Sequence, residues 1–234
     1  MPAQALQKSG GQKKRKQEII DSRVKSISLI YDSMRTTAHQ VKHVVSSSAV
    51  GYYGDSGDDI LHEETEPGTD FLAECCLLWE QAVDDGVHQG LRVVKLRTGI
   101  VLSKNGGALP ALALPVKFGL GTALGSGKQW SPWIHIDDAV SVYIYALQNK
   151  GLSGAYNMAA PNPVTNNDLT KAVAKQLHRP YWLPHAPAFM LKLILGERSI
   201  IALESTRVSS EKITAEGFTF KYTQIDTALT DIYG

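Results

Sequence analysis

The sequence predicts an α/β protein built on part of a doubly wound parallel sheet, with a small helical lobe at its C-terminal end. Three observations point there. Two short, largely apolar and β-branched runs, "VKHVVSSSAV" and "LRVVKLRTGIVL", have the near-continuous hydrophobicity of strands buried on both faces. A helical pattern lies between them, which makes the order β, α, β and leaves a crossover long enough to set the strands parallel. Beyond about Pro161 the pattern turns mainly helical.

Taken in order, apolar residues from Gln17 to Gln40 (Ile19, Ile20, Val24, Ile27, Ile30, Tyr31) recur near helical spacing and predict one long amphipathic helix. Ahead of it, residues 1–16 read as a disordered basic tail containing Lys13 to Lys16, a solvated charge run before a helix start. After the first strand comes an acidic, turn-rich loop, and "TDFLAECCLLWEQAVDDGV" then predicts a helix capped by Thr69 or Asp70. The second strand follows. "LPALALPVKFG" predicts a short helix, "DDAVSVYIYALQN" a helix with Asp137 near its start as N-cap, and "GAYNMAA" a third short strand. These elements make residues 17–160 one unit. Residues 161–234 form the smaller lobe: a helix in "NNDLTKAVAKQLH", a Pro-punctuated turn and apolar helix in "YWLPHAPAFMLKLILG", and helix, extended piece, helix to the end.

Composition excludes several classes. A net charge of +1 over 234 residues supplies no global field for nucleic acid or an anionic membrane. No apolar run approaches the roughly 20 residues of a membrane helix, and none suits a signal peptide. The only cysteines, Cys75 and Cys76, are neighbours that can staple nothing distant and match no zinc spacing. A reducing compartment, the cytoplasm, is the expectation.

A doubly wound sheet that binds a dinucleotide grips its phosphates with a glycine turn between a strand and a helix, where backbone N–H groups and the helix dipole face the ligand. Gly121, Gly125 and Gly127 in "GLGTALGSGK" have a tempting spacing. Their context is wrong for it, since "LPVKFG" precedes as helix and "QWSPWIHI" follows. The stretch reads as a flexible loop at the rim of a cleft.

The combination "SSSAVGYYGD", "DFLAECCLLWE", "LRTGIVLSKNGGAL" and "PWIHIDDAV", followed by "LPHAPAFMLKLILGE", resembles the extended short-chain dehydrogenase/reductase superfamily. More closely it looks like the epimerase family proteins, which end in a C-terminal domain of unknown function. The resemblance implies a Rossmann-like fold, NAD or NADP as cofactor, and a small hydroxyl or carbonyl substrate. Such proteins carry the phosphate-binding glycine motif in an N-terminal half, and this chain begins after that region. It is therefore expected to be a truncated member, weakly active or inactive alone, with a homo-oligomer or a complementing N-terminal half as partner. The competing expectation is a non-catalytic binding protein derived from the fold.

Site residues follow from the same resemblance. The superfamily serine falls on Ser48, which would orient substrate; the alternative is a hydroxyl capping the turn after the strand. Aligning Glu80 with the Glu that commonly follows the superfamily's Tyr-x-x-x-Lys puts Leu72 and Cys76 where the tyrosine and lysine would stand, and neither is a tuned proton donor. Ser46, Thr98 and Gly99, at strand ends, are the expected cofactor contacts. Tyr52, Tyr53, Trp133 and His135 are the expected substrate contacts, with packing as the alternative for the tyrosines and a strand-to-helix junction for His135. No metal ligands are expected.

Overall fold

The computed structural model describes residues 3–196 and 199–234. Helix α1 (Ala3–Thr36) precedes strand β1 (His43–Ala49), a 3-10 turn at Val50–Tyr52, the short strand β2 (Ile60–Leu61) and helix α2 (Phe71–Asp84). Strands β3 (Arg92–Thr98), β4 (Ile100–Ser103) and β5 (Gly106–Gly107) lead into α3 (Ala108–Lys117). Strands β6 (Trp130–Ser131) and β7 (Trp133–His135) lead into α4 (Ile136–Gln148). The chain continues through β8 (Gly154–Met158), β9 (Val164–Thr165), α5 (Asn166–Gln176), α6 (Ala188–Leu195) and α7 (Ser199–Leu203). It closes with β10 (Arg207–Val208), α8 (Glu211–Ala215) and α9 (Ile225–Tyr233).

The centre is a parallel sheet in the order β1-β3-β8, with Val45 beside Val94 and Leu96 beside Tyr156. This is the Rossmann-like α/β arrangement that the β-branched runs predict. Helix α2, the crossover from β1 to β3, starts where Asp70 accepts hydrogen bonds from the backbone N–H groups of Leu72 (2.6 Å) and Ala73 (3.1 Å). Such a cap contributes about 1 kcal/mol.

Two apolar clusters hold the layers together. Val94, Leu96, Ile134, Val142 and Met158 join the sheet to α4 and reach Ile213 and Phe220 near the C-terminus. Leu102, Leu109, Trp133, Val173 and Leu229 join β4 to α3, α5 and α9. Residues beyond 161 thus pack into a core they share with residues before it. Leu229 alone, fully buried, contributes about 1.5–3 kcal/mol.

Three local features differ from the sequence-based expectation. Helix α1 starts at Ala3, so the stretch expected as a tail is helix from that residue on; its polar composition hid the extension, because helix periodicity is read from apolar residues. The run "LRVVKLRTGIVL" is two strands rather than one, broken at Gly99. There the chain leaves the β3 ladder: Gly99 N–H bonds to Met158 O, while Ile100 N–H bonds to Pro132 O at 2.6 Å and β4 pairs with β7 instead. A Cβ at Gly99 would stand 2.3 Å from Pro132 O, so only glycine allows that approach. Finally, α4 is capped by His135, whose Nδ1 accepts from Asp137 N–H at 3.1 Å, and not by Asp137. Asp138 turns inward, accepting from the backbone N–H groups of Lys221 and Tyr222. Among the described residues no helix is long and apolar enough to cross a membrane.

Candidate functional site

The C-terminal ends of β1, β3 and β8 meet over a buried polar network. Ser48, on β1 and 3% exposed, donates its hydroxyl to Glu80 Oε1 at 2.6 Å. Glu80 stands on α2 on the stripe that carries Ala73, Cys76 and Val83 to the sheet. Arg97, on β3, grips the same carboxylate with two nitrogens, Nε to Oε1 at 2.8 Å and Nη2 to Oε2 at 2.9 Å. Its Nη1 donates to the Tyr53 hydroxyl and to Glu63 O, each at 2.9 Å. Tyr53 in turn donates to Asn157 Oδ1 at 2.7 Å, and Asn157 N–H donates to Glu63 Oε1 at 2.8 Å. The three strands, α2 and the loop after β2 are thus joined by polar groups that satisfy one another, the condition under which burying them is tolerable.

The network sets the protonation states. Burial opposes ionisation of Glu80, but the bonds and charge of Arg97 and the Ser48 hydroxyl outweigh it and hold the carboxyl below the usual carboxylate range. Burial pushes the Tyr53 phenol up to about 12 despite the neighbouring Arg97, so it stays protonated at neutral pH. Tyr52 lies under the Arg97 guanidinium, 3.5 Å from ring centroid to Cζ, and burial raises it as well. Cys76 is pushed up to about 12 by burial and by the charges of Cys75 and Glu80. It is an inert core thiol.

The other expected contacts separate into two groups. Ser46, Thr98 and Gly99 stand at or near the strand ends; the Ser46 hydroxyl donates to Ser47 O and that of Thr98 to Leu96 O. Trp133 and His135 are turned into the core, 0% and 2% exposed. Trp133 Nε1 donates to Asn162 O. His135 packs on Tyr222 at 3.9 Å, with Nε2 3.4 Å from Asp231 Oδ2. His135, Asp137 and Asp231 come close enough together to hold an ion. The tautomer argues otherwise: Nδ1 is an acceptor, so the neutral ring carries its proton on Nε2 and offers no lone pair toward Asp231.

A cavity of about 350 Å³ lies between Asp55, the segment 125–129, Ala188 and α7 with Glu204. Gly125 in its lining and Gly127 just beyond have φ of 59° and 71°, and they lead into β6 rather than a helix. The C-terminal segment closes its far side: Ser205 N–H donates to Asp55 Oδ1 at 3.0 Å, Ser56 N–H donates to Ser205 O at 2.9 Å, and β10 pairs with β2. Glu204 lines the cavity, raised to about 7 by burial and by the charges of Asp70 and Asp55. Sequence reasoning missed Glu80, Arg97, Asn157 and Glu204. The first two were signalled, each being a charge inside an apolar pattern; Glu204 was not, because its acidic neighbours come from distant loops.

A parallel α/β sheet with its polar groups gathered at the strands' carboxyl ends defines a Rossmann-like ligand-binding protein. The chain matches the NAD dependent epimerase/dehydratase family over residues 2–159 and a domain of unknown function, DUF1731, over 186–232. It belongs to the NAD dependent epimerase/dehydratase family. Epimerase family protein YfhF of Bacillus subtilis is 36% identical over 220 residues, a match covering 94% of this chain and 72% of that one. The chloroplastic SDR39U1 homolog of Arabidopsis thaliana, also titled an epimerase family protein, is 38% identical over 219 residues, covering 93% and 62%. Human epimerase family protein SDR39U1, solved with NADPH, superposes with a TM-score of 0.86 at 28% identity, covering 94% of this chain and 75% of that one. The chain thus spans 62% of the Arabidopsis relative and 75% of the human one.

Proposed function

We propose that this chain supplies the nicotinamide and substrate side of a NAD(P)-dependent epimerase-type oxidoreductase acting on a small hydroxyl or carbonyl compound, working in the cytoplasm. The observation that carries the reading is the family match over 2–159 on a chain whose parallel strand β1 carries Ser46 and Ser48 and whose strand β3 ends at Thr98, just ahead of Gly99. These ends fit the nicotinamide half of a dinucleotide, because such sheets bind ligand at the strands' carboxyl ends and the Thr98 hydroxyl, donating to Leu96 O, keeps lone pairs to accept from it. Gly106 and Gly107 lead into α3 but form β5, antiparallel to β4 and outside the β1-β3-β8 sheet, and Gly125 and Gly127 lead into β6, so neither pair stands as the glycine turn after a strand of the parallel sheet that a phosphate grip requires.

When bound, the nicotinamide exchanges a hydride with the substrate. Thr98 would hold the ring's edge, while Ser46 faces α2 with Ser48 on the other side of the sheet. Tyr52 would meet the substrate, its face backed by Arg97. Ser48 donates its hydroxyl hydrogen to a bond with Glu80, so in this reading it is a positioning residue that fixes Glu80 and Arg97 beneath the tyrosines. Alone, the chain turns over little or no substrate, because Leu72 and Cys76 stand where the superfamily's proton donor and its lysine would be and Cys76 stays protonated.

That last observation also favours a second reading, a non-catalytic binding protein. Melting the chain with NAD, NADH, NADP and NADPH in turn separates the two. A nucleotide at about 100 times its dissociation constant adds about 2.7 kcal/mol to stability. A raised melting temperature with at least one nucleotide supports the oxidoreductase reading; a cooperative melt unmoved by all four at millimolar concentration leaves the binding protein in its place.

A further inference from the structure

Two stretches of the chain hold no carboxylate side chain. The sequence has 23 Asp and Glu residues, yet none lies between Asp85 and Asp137 or between Asp168 and Glu197. The fold brings parts of these stretches side by side. Thr122 Oγ1 donates to Pro184 O at 2.6 Å, Leu124 and Ala186 form a parallel bridge, and Ala186 N–H donates to Ala123 O at 2.8 Å. Carried back two residues, the same offset sets Leu120 beside Trp182.

Apolar side chains stand out from this junction. Phe118, just after α3, is 76% exposed, Trp182 is 69% exposed, and Leu120 is exposed with them. On α6, Phe189 and Leu193 are four residues apart and share a face, 72% and 84% exposed, while Leu191 on the opposite face is buried. Scattered exposed apolar residues are ordinary, but a group protruding from adjoining segments makes a patch. Cations border it: Lys117 next to Phe118, Arg179 three residues before Trp182, and Lys128 beyond the turn at Gly125. Among the described residues these three have no ion pair, whereas Lys25, Lys175 and Lys221 elsewhere on the surface each face a carboxylate. Asp55 and Glu204 line the cavity that Ala188 borders, and Phe189 and Leu193 stand about 100° and 140° round α6 from Ala188.

We propose that this face of α3, α6 and the segments joining them rests on an anionic lipid surface, with Phe118, Trp182, Phe189 and Leu193 entering the headgroup layer and Lys117, Lys128 and Arg179 meeting the lipid charge. Charge complementarity selects this occupant. Trp, Phe and Leu side chains rimmed by unpaired cations match an interfacial docking face, and anionic lipid supplies the diffuse negative charge that the face itself lacks. A second copy does not match, because two-fold symmetry would set Lys117 and Arg179 against like charges with no carboxylate from these stretches to relieve them. Helix α6 has eight residues, too few to span a bilayer, so the contact is peripheral. With a net charge of +1 on the whole chain, the attraction is local to this face. None of this depends on the oxidoreductase reading.

The test sediments the full chain with vesicles of phosphatidylcholine alone and with vesicles containing about 30 mol% phosphatidylglycerol. Binding is expected to the anionic vesicles only, weakened in about 0.5 M salt and accompanied by a blue shift of tryptophan emission that Trp182→Phe removes. Lys117→Gln combined with Arg179→Gln should weaken it about thirtyfold, about fivefold for each charge. Phe189→Ser combined with Leu193→Ser should abolish it and, at exposed positions, leave the circular dichroism and the melt unchanged. No sedimentation with the anionic vesicles overturns the proposal, and so does binding that survives the Phe189 and Leu193 substitutions. Two other outcomes overturn it by naming a different occupant. Equal retention on single-stranded RNA, lost with Lys117 and Arg179, makes the partner a polyanion, and a dimer in size exclusion that the Phe189 and Leu193 substitutions break makes it a second copy.

Discussion

Replacing Arg97 with methionine should destabilise the chain by about 3–5 kcal/mol, because it strands a buried carboxylate. Glu80 and Arg97 side chains are 5% and 4% exposed, and the substitution removes both arms of their pair. Ser48 and Lys95, the latter 3.7 Å away, are what remains to face the charge. Glu80→Met should cost a similar amount by stranding Arg97, whereas the double substitution should cost far less than the sum, since an apolar pair of similar volume replaces an ion pair without an orphaned charge. Urea unfolding of the four proteins measures the coupling. The pH dependence adds a sign. In the unmodified chain Glu80 titrates below its ordinary value of 4.5, so its stabilisation is present above that value and lost as the pH falls through the lower folded one. With Arg97 gone, burial raises Glu80 instead, so the variant's deficit should shrink between pH 8 and pH 5 as the carboxyl takes up a proton. Additive single effects, within about 0.5 kcal/mol, and a deficit flat with pH would refute the network.

Three further outcomes follow from single sites. Cys76 should resist a thiol reagent in the folded chain at pH 8 and react only at the rate of unfolding, because burial keeps it protonated; fast labelling would place it elsewhere. Glu204 is raised, so the folded chain binds a proton that the unfolded chain releases above 4.5, and stability should fall as the pH rises from about 5 toward 7 and beyond. Glu204→Gln should flatten that part of the profile, and an unchanged slope would assign it to another group. Gly99→Ala should cost about 1–3 kcal/mol in a thermal melt by driving a methyl into Pro132 O; a neutral result would mean the β3 to β4 break is soft.

The sheet was legible because β-branched runs around Val44 and Val94 say the same thing locally and globally. Asp70 as a cap was legible for the same reason: the signal and the bond lie within three residues. Gly99 misled, since what breaks the strand is the carbonyl of Pro132 from another element. His135 took the capping role from Asp137 because Asp138 behind it is bound to Lys221 and Tyr222 near the C-terminus, a pairing no local pattern announces. Ser48 was found as a position, but its partner Glu80 is visible only when α2 is laid on β1. Glu204 depends on burial and on two carboxylates from separate loops, which makes it a property of the fold rather than of the segment.

The most direct test of the central claim is saturation-transfer NMR with NADPH on the full chain. Strand ends that hold the nicotinamide and no phosphate grip predict transfer that is strong to the nicotinamide ring protons and weak to the adenine. Transfer absent from both rings, or stronger to the adenine, would contradict the claim that this chain forms the nicotinamide side of a dinucleotide site.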